Sequence, residues 1–223
     1  PLPAYTENIL INFNDINLIQ EKILKTNNKN IISAVEFWDS NCQKLFNKEK
    51  NNTYEVLIEL AADSETEINK CLEDIANLNA DVSLLNSKQT NELWSKREEI
   101  PVKLADLNAY KLDICIPIKN LKSYLNEIYK IDLDKEVYCF GHLGDGNVHV
   151  NIVSDTNLEE LKSKIYELTI SLNGSPSAEH GIGQRKKHIW ADFSYYSDKL
   201  KLLKSLKKSM DPNNILCPKV FFN

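Results

Sequence analysis

Val137-Tyr138-Cys139-Phe140-Gly141-His142 and Asn147-Val148-His149-Val150-Asn151-Ile152-Val153 read as two strands joined by Leu143-Gly144-Asp145-Gly146. Asp-Gly is a strong turn signal, and the glycines supply positive φ. If His142 pairs across from Asn147, positions 142, 147, 149 and 151 share one face of the sheet. Val148, Val150 and Ile152 then form the opposite, core face. His142 and His149 become diagonal neighbours, about 5–8 Å apart at Cβ, close enough for two imidazoles to converge on one ion. A polar face on a central strand is costly unless it lines a site.

Residues 141–149 hold two of the four histidines and three of the six glycines of the 223-residue chain. A second cluster, Glu179-His180-Gly181-Ile182-Gly183, adds a third histidine beside a carboxylate. His, His and Glu are a common ligand set for a catalytic divalent metal with open positions. Each feature also has a plainer reading. A lone histidine is most often a satisfied structural residue, Asp145 reads as a turn residue, and Glu179-His180 reads equally as a surface pair. The glycines need only form turns, although Gly181 and Gly183 also allow close backbone approach. His188, among Arg185, Lys186 and Lys187, reads as surface. Arg97 and Lys111 offer a planar fork and a point charge suited to a carboxylate, yet either one alone reads as a solvent-facing charge.

Outward from the hairpin, the chain reads as two similar patterns. Strands over 9–13, 31–37, 54–60 and 81–85 alternate with helices, one capped by Asp15 through Ile19, Ile23 and Leu24, another with Ile68, Leu72, Ile75 and Leu78 on one side. After a joining segment, Ser87 to Asn108, strands are expected over 109–116, 137–141 and 147–153. A helix striped with Leu121, Tyr124, Leu125 and Ile128 follows Pro117, and another covers 158–172. The fold class is α+β: two ferredoxin-like βαββαβ-type halves forming a largely antiparallel sheet with helices packed on one face. Lys199 to Met210 reads as a basic amphipathic helix with Leu200, Leu203 and Leu206 packed inward, its lysines solvated or facing an acidic lipid surface.

A hydrophobic content of 42% is enough for one domain with a core, or two small ones. The formal charge of −5 argues against a nucleic-acid partner. No run of roughly 18 apolar residues is present, so no membrane span is expected. Pro1-Leu2-Pro3-Ala4-Tyr5 has no signal-peptide character, and the missing initiator Met points to a fragment or a processed product. The scattered Cys42, Cys71, Cys115, Cys139 and Cys217 fit a reducing compartment and buried small apolar side chains. Neither GxGxxG nor GxxxxGK[ST] occurs.

GHLGDGNVH, followed about thirty residues later by AEHGIG, resembles the C-terminal domain of the FAD-linked 2-hydroxy-acid oxidoreductases. That family includes D-lactate dehydrogenases, D-2-hydroxyglutarate dehydrogenase and the D subunit of glycolate oxidase, flavoenzymes of the vanillyl-alcohol-oxidase type. The resemblance extends to Ala34-Val35-Glu36-Phe37-Trp38-Asp39, Leu93-Trp94-Ser95-Lys96-Arg97-Glu98, Tyr110-Lys111-Leu112-Asp113-Ile114-Cys115-Ile116-Pro117 and Met210-Asp211-Pro212-Asn213-Asn214-Ile215-Leu216. It implies that residues 1–223 are the substrate or cap domain, and that an N-terminal FAD-binding domain is absent from this chain. It also implies metal ligands His142, His149 and Glu179 and a general base, His180. Arg97, Lys111 and Asn151 would bind substrate, and Asn147 and Gly181 would stand beside the cofactor.

The expected activity is oxidation of a D-2-hydroxy acid to a 2-oxo acid by hydride transfer to FAD, aided by a divalent metal for which zinc is the expected ion. This holds for the full-length enzyme; the fragment alone is expected to be inactive. Pro101 stands where hydroxyglutarate enzymes carry a hydroxyl residue, which favours a small monoacid, D-lactate or glycolate. Cys217-Pro218-Lys219 replaces the family's usual Asn-Pro-Gly-Lys ending. Expected partners are the FAD domain, the small 2-hydroxy acid, an electron acceptor and a second copy in a homodimer. The expected location is cytoplasmic, with peripheral contact at the inner membrane. A stand-alone metal- or carboxylate-binding module and a metal-dependent hydrolase are the competing classes. The hydrolase lacks a second metal cluster or a Ser or Cys nucleophile beside these histidines.

Overall fold

The computed structural model describes residues 2–16, 29–47, 53–77, 80–131, 136–154, 158–184, 186–189 and 197–220. The chain divides into two compact units, Pro1–Pro176 and Ser177–Asn223. The first unit contains β1 (Tyr5–Phe13), β2 (Ile32–Trp38), α1 (Ser40–Lys44), β3 (Tyr54–Ala62), α2 (Glu65–Ala76), β4 (Asp81–Leu84) and α3 (Ser87–Asp106). It continues with β5 (Tyr110–Cys115), α4 (Leu121–Ile131), β6 (Glu136–His142), β7 (Asn147–Val153) and α5 (Leu158–Ser171).

The seven strands form one sheet in the order β4-β1-β3-β2-β6-β7-β5. Every neighbouring pair is antiparallel. β4-β1-β3-β2 is the spatial order of a ferredoxin-like unit, as the sequence predicts. The second half repeats it as β6-β7-β5, and its fourth strand shrinks to a single bridge between Ser175 and Cys115. The halves join edge to edge through β2 and β6, with Glu36 opposite His142 and Trp38 opposite Phe140. The helix expected from Asp15 through Ile19, Ile23 and Leu24 lies outside the described residues, as does Leu78.

Strand alternation gives the sheet two buried faces. Ile9, Ile11, Phe37, Ile58, Ile114, Val148 and Val150 occupy one, each no more than 1% exposed. The helices of the two halves, α2, α4 and α5, border strands of this core, and α4 buries the predicted stripe Leu121, Tyr124, Leu125 and Ile128. The expectation of helices on one face describes these. The joining segment Ser87 to Asn108 is itself the long helix α3 and covers the other face. There its Leu93, Ile100 and Leu104 pack with Trp38, Leu57, Tyr138 and Phe140. Burying each such leucine or isoleucine contributes about 1.5–3 kcal/mol.

A reciprocal capping box starts α3: Gln89 N donates to the Asn86 side chain and Asn86 N to the Gln89 side chain, both at 3.0 Å. Asn108, at φ +54, ends it in a Schellman arrangement, with Asn108 N bonded to Ala105 O and Ala109 N to Leu104 O. The sequence reading also misses α1. Asp39 caps it, accepting from Cys42 N, Cys139 N and the Tyr129 hydroxyl, each at 2.7 Å, and so ties α1, β6 and α4 together. Burial pushes the Asp39 carboxyl above its ordinary value, against these three hydrogen bonds, which lower it.

In the second unit, α6 (Ser197–Met210) forms as predicted; of the leucines expected inward, Leu200 and Leu203 are half-buried and Leu206 is exposed. No described residue of α6 is buried, and Leu206 is 48% exposed. Beyond it, Asp211 holds the turn of the Asp-Pro-Asn-Asn motif. Its carboxylate accepts from Ile215 N at 3.0 Å, from Leu216 N at 2.9 Å and from the Lys207 ammonium. The Lys207 contact, followed by the two amides, holds the Asp211 carboxyl below its ordinary 3.8. A depressed carboxyl stabilises the fold fully above that ordinary value and loses the contribution as pH falls through the lower, folded value. Asp211→Asn is therefore expected to speed amide exchange at Ile215 and Leu216 at neutral pH. Unchanged protection there would refute the role. No helix among the described residues is long and apolar enough to cross a membrane.

Candidate metal and substrate site

The face of the sheet covered by α3 changes character at β2, β6, β7 and β5. Its inward positions there are Glu36, Phe140, His142, Asn147, His149, Asn151 and Asp113 rather than aliphatic residues. The register places His149 opposite Phe140 on one side and opposite Asp113 on the other. The predicted hairpin face is therefore real. The His142 and His149 rings stand edge to face with centroids 5.6 Å apart, and His149 also stacks on Phe140 at 5.0 Å.

The turn that sets this spacing depends on Gly146. It has φ +76, and a Cβ there would lie 2.1 Å from the Ile116 carbonyl oxygen. The hairpin tip is thereby pressed against the end of β5, and Ile116 N donates to Gly146 O at 2.9 Å. Gly181, in the second unit, is needed for its conformation alone, with φ +67 and open space beside it.

Each imidazole has a carboxylate at its Nδ1. His142 Nδ1 lies 2.5 Å from Glu36 Oε1, a hydrogen bond. His149 Nδ1 faces Asp113 Oδ1 at 3.6 Å, beyond hydrogen-bond length. The other Glu36 oxygen, Oε2, accepts from Arg97 Nε at 2.8 Å, and both side chains of that ion pair are nearly buried. The Arg97 guanidinium lies over the Phe140 ring, 4.8 Å from its centroid. Arg97 thus sits above the histidine row, one helical turn before Pro101. Pro101 has no N–H to offer the Arg97 carbonyl, and its own carbonyl accepts from Lys111 Nζ at 3.0 Å.

Lys111 pairs across the sheet with Asn151, so both predicted substrate contacts stand at one level of the row. Asn151 is buried and donates to the His149 carbonyl at 3.1 Å. Asn147 is 1% exposed, and neither atom of its side-chain amide has a hydrogen-bond partner among the described residues. A buried amide in that state leaves both N–H donors and the oxygen's lone pairs unused, and a bound group could supply their partners. In the second unit, Glu179, His180 and His188 are exposed, and Ser177 Oγ donates to Gly181 O at 2.7 Å.

The sequence reading assigns no role to Glu36, Asp113 or Phe140. A signal for the acids was present: Val35-Glu36-Phe37 and Leu112-Asp113-Ile114 each set a carboxylate inside an apolar strand. A charge in that setting needs a built partner.

Residues 2–220 match the family described as FAD linked oxidases, C-terminal domain. This chain belongs to that family. The FAD-linked oxidase domain is 34% identical over 210 residues to the mitochondrial D-2-hydroxyglutarate dehydrogenase of Bos taurus, covering 84% of this chain and 38% of the relative. It is 31% identical over 209 residues to the Danio rerio protein of the same name, covering 84% and 39%. It is 30% identical over 250 residues to a mitochondrial protein of Schizosaccharomyces pombe with a provisional D-lactate dehydrogenase name, covering 97% and 46%. The chain thus spans less than half the length of these curated relatives. Among solved structures, an alkyldihydroxyacetonephosphate synthase matches with a TM-score of 0.59 at 12% identity, covering 97% of this chain and 44% of that one. At that identity the likeness concerns the fold.

Proposed function

We propose that this chain is the substrate- and metal-binding domain of an FAD-dependent dehydrogenase of small D-2-hydroxy acids, of the D-lactate or glycolate type. The observation that carries the reading is the pair of imidazoles, each with a carboxylate facing Nδ1, set beneath a buried arginine on a buried polar stretch of the sheet. A hydrogen-bonded carboxylate–histidine pair such as Glu36–His142 orients and strengthens a metal-ligating imidazole. A nitrogen donor pair completed by a carboxylate suits zinc. Glu179 is the proposed third ligand.

A bound divalent ion would supply Lewis acidity to the substrate hydroxyl, and FAD, held chiefly by a separate N-terminal domain, would accept the hydride. The chain's own residues do the rest. Arg97 and Lys111 hold the substrate carboxylate, and Asn151 orients its polar end. An imidazole nitrogen of His180 takes the hydroxyl proton. Asn147, with an unused donor and acceptor, and Gly181 meet the flavin side. Pro101 brings no hydroxyl to a second carboxylate, which favours a monoacid over hydroxyglutarate. The electron acceptor, a homodimer, a cytoplasmic location and a peripheral contact between the α6 lysines and the inner membrane belong to the same reading.

The test uses the full-length protein. Adding D-lactate or glycolate without oxygen is expected to bleach the flavin absorbance. Prolonged chelation is expected to stop the bleaching, and zinc to restore it. No bleaching with any 2-hydroxy acid would end the proposal; full activity after complete metal removal would end its metal component.

A further inference from the structure

Glu36 is 5% exposed and uses its two oxygens for two different purposes. Oε2 accepts from Arg97 Nε at 2.8 Å, and Oε1 meets His142 Nδ1 at 2.5 Å. A carboxylate only accepts hydrogen bonds, so its contact at His142 requires the proton on Nδ1. The lone pair then sits on Nε2, the nitrogen able to ligate a metal. We propose that Glu36 is a positioning residue that fixes His142 in the metal-binding tautomer, with Arg97 locking the carboxylate in place. This rests on the metal-assisted reading above.

Arg97 makes the proposal sharp. In Glu36→Gln, the Arg97 Nε–H can face only the amide oxygen. The amide NH2 is then turned toward His142 Nδ1, which must accept. That moves the imidazole proton to Nε2 and blocks the ligating atom. An isosteric change is therefore expected to weaken metal binding at least as much as Glu36→Ala, which stops enforcing the right tautomer without enforcing the wrong one. A residue serving only as a buried partner for Arg97 gives the reverse order, because glutamine keeps the shape and the Arg97 hydrogen bond.

The experiment measures zinc affinity of full-length wild type, Glu36→Gln and Glu36→Ala by competition with a chromogenic chelator. It also records the ring-nitrogen NMR shifts of His142 in metal-free wild type. The expected result is a 10–100-fold loss in Glu36→Gln, no smaller than in Glu36→Ala, with His142 protonated on Nδ1 in wild type. Wild-type affinity in Glu36→Gln, or a smaller loss there than in Glu36→Ala, would overturn the proposal. So would an Nε2-protonated His142 in wild type, a reading independent of whether either variant folds. Failure of wild type itself to bind zinc would instead strike the proposed function, leaving the tautomer measurement to judge Glu36.

Discussion

His180→Ala in the full-length protein is expected to lower kcat for D-lactate oxidation by about 10²–10⁴-fold, the usual contribution of a positioned general base. His180 is exposed and stands in a loop shaped by Gly181, whose positive φ turns the chain directly after it. An exposed side chain supports little packing, so thermal stability and flavin content are expected to match wild type. The change should fall on kcat more than on KM, because the lost interaction is with a proton in flight rather than with the bound carboxylate. Added imidazole should restore part of the rate by entering the space vacated. A variant within threefold of wild type would assign the proton to another acceptor.

The halves of the fold were legible because short apolar strands and striped helices follow one another in the order β-α-β-β-α-β, which has one common antiparallel solution. The joining segment was not legible, for a reason that lies in the site. The inward stripe of α3 is Leu93, Arg97, Ile100 and Leu104, so a charge interrupts the apolar period, and Pro101 argues against a helix interior. Arg97 is admitted to that stripe only because Glu36 waits on the sheet beneath it. Nothing local in residues 87–108 reveals the partner. The hairpin histidines, by contrast, were readable from spacing alone, since period-two alternation decides which side chains share a face. Their carboxylates were not, because the pairing of β6 with β2 and of β7 with β5 is long-range information. The exposed Leu206 at the end of the α6 stripe marks the opposite failure. The stripe is there, but amphipathic periodicity shows only that a helix has an apolar side, not that something covers it.

His149→Ala is expected to reduce zinc affinity by more than about 100-fold, exceeding the effect of any change confined to the carboxylates behind the ligands. The geometry separates this loss from a folding defect. His149 lies at the centre of the row, between Phe140 at 5.0 Å, the His142 ring at 5.6 Å and Asp113 at 3.6 Å. Its ring stacking contributes about 0.5–1.5 kcal/mol in the metal-free protein, a modest part of a domain's stability. The larger change should therefore appear in the difference between metal-loaded and metal-free melting temperatures, which ligand binding to the folded state alone creates. In wild type, zinc should raise the melting temperature in a concentration-dependent way; in His149→Ala the rise should vanish at the same concentrations. His188→Ala is the control, since that histidine is exposed and outside the row. If zinc stabilises His149→Ala as it does wild type, the ion binds elsewhere, and the carboxylate-backed imidazoles are structural pairings, His142 with Glu36 across the two halves of the sheet and His149 with Asp113 within the second.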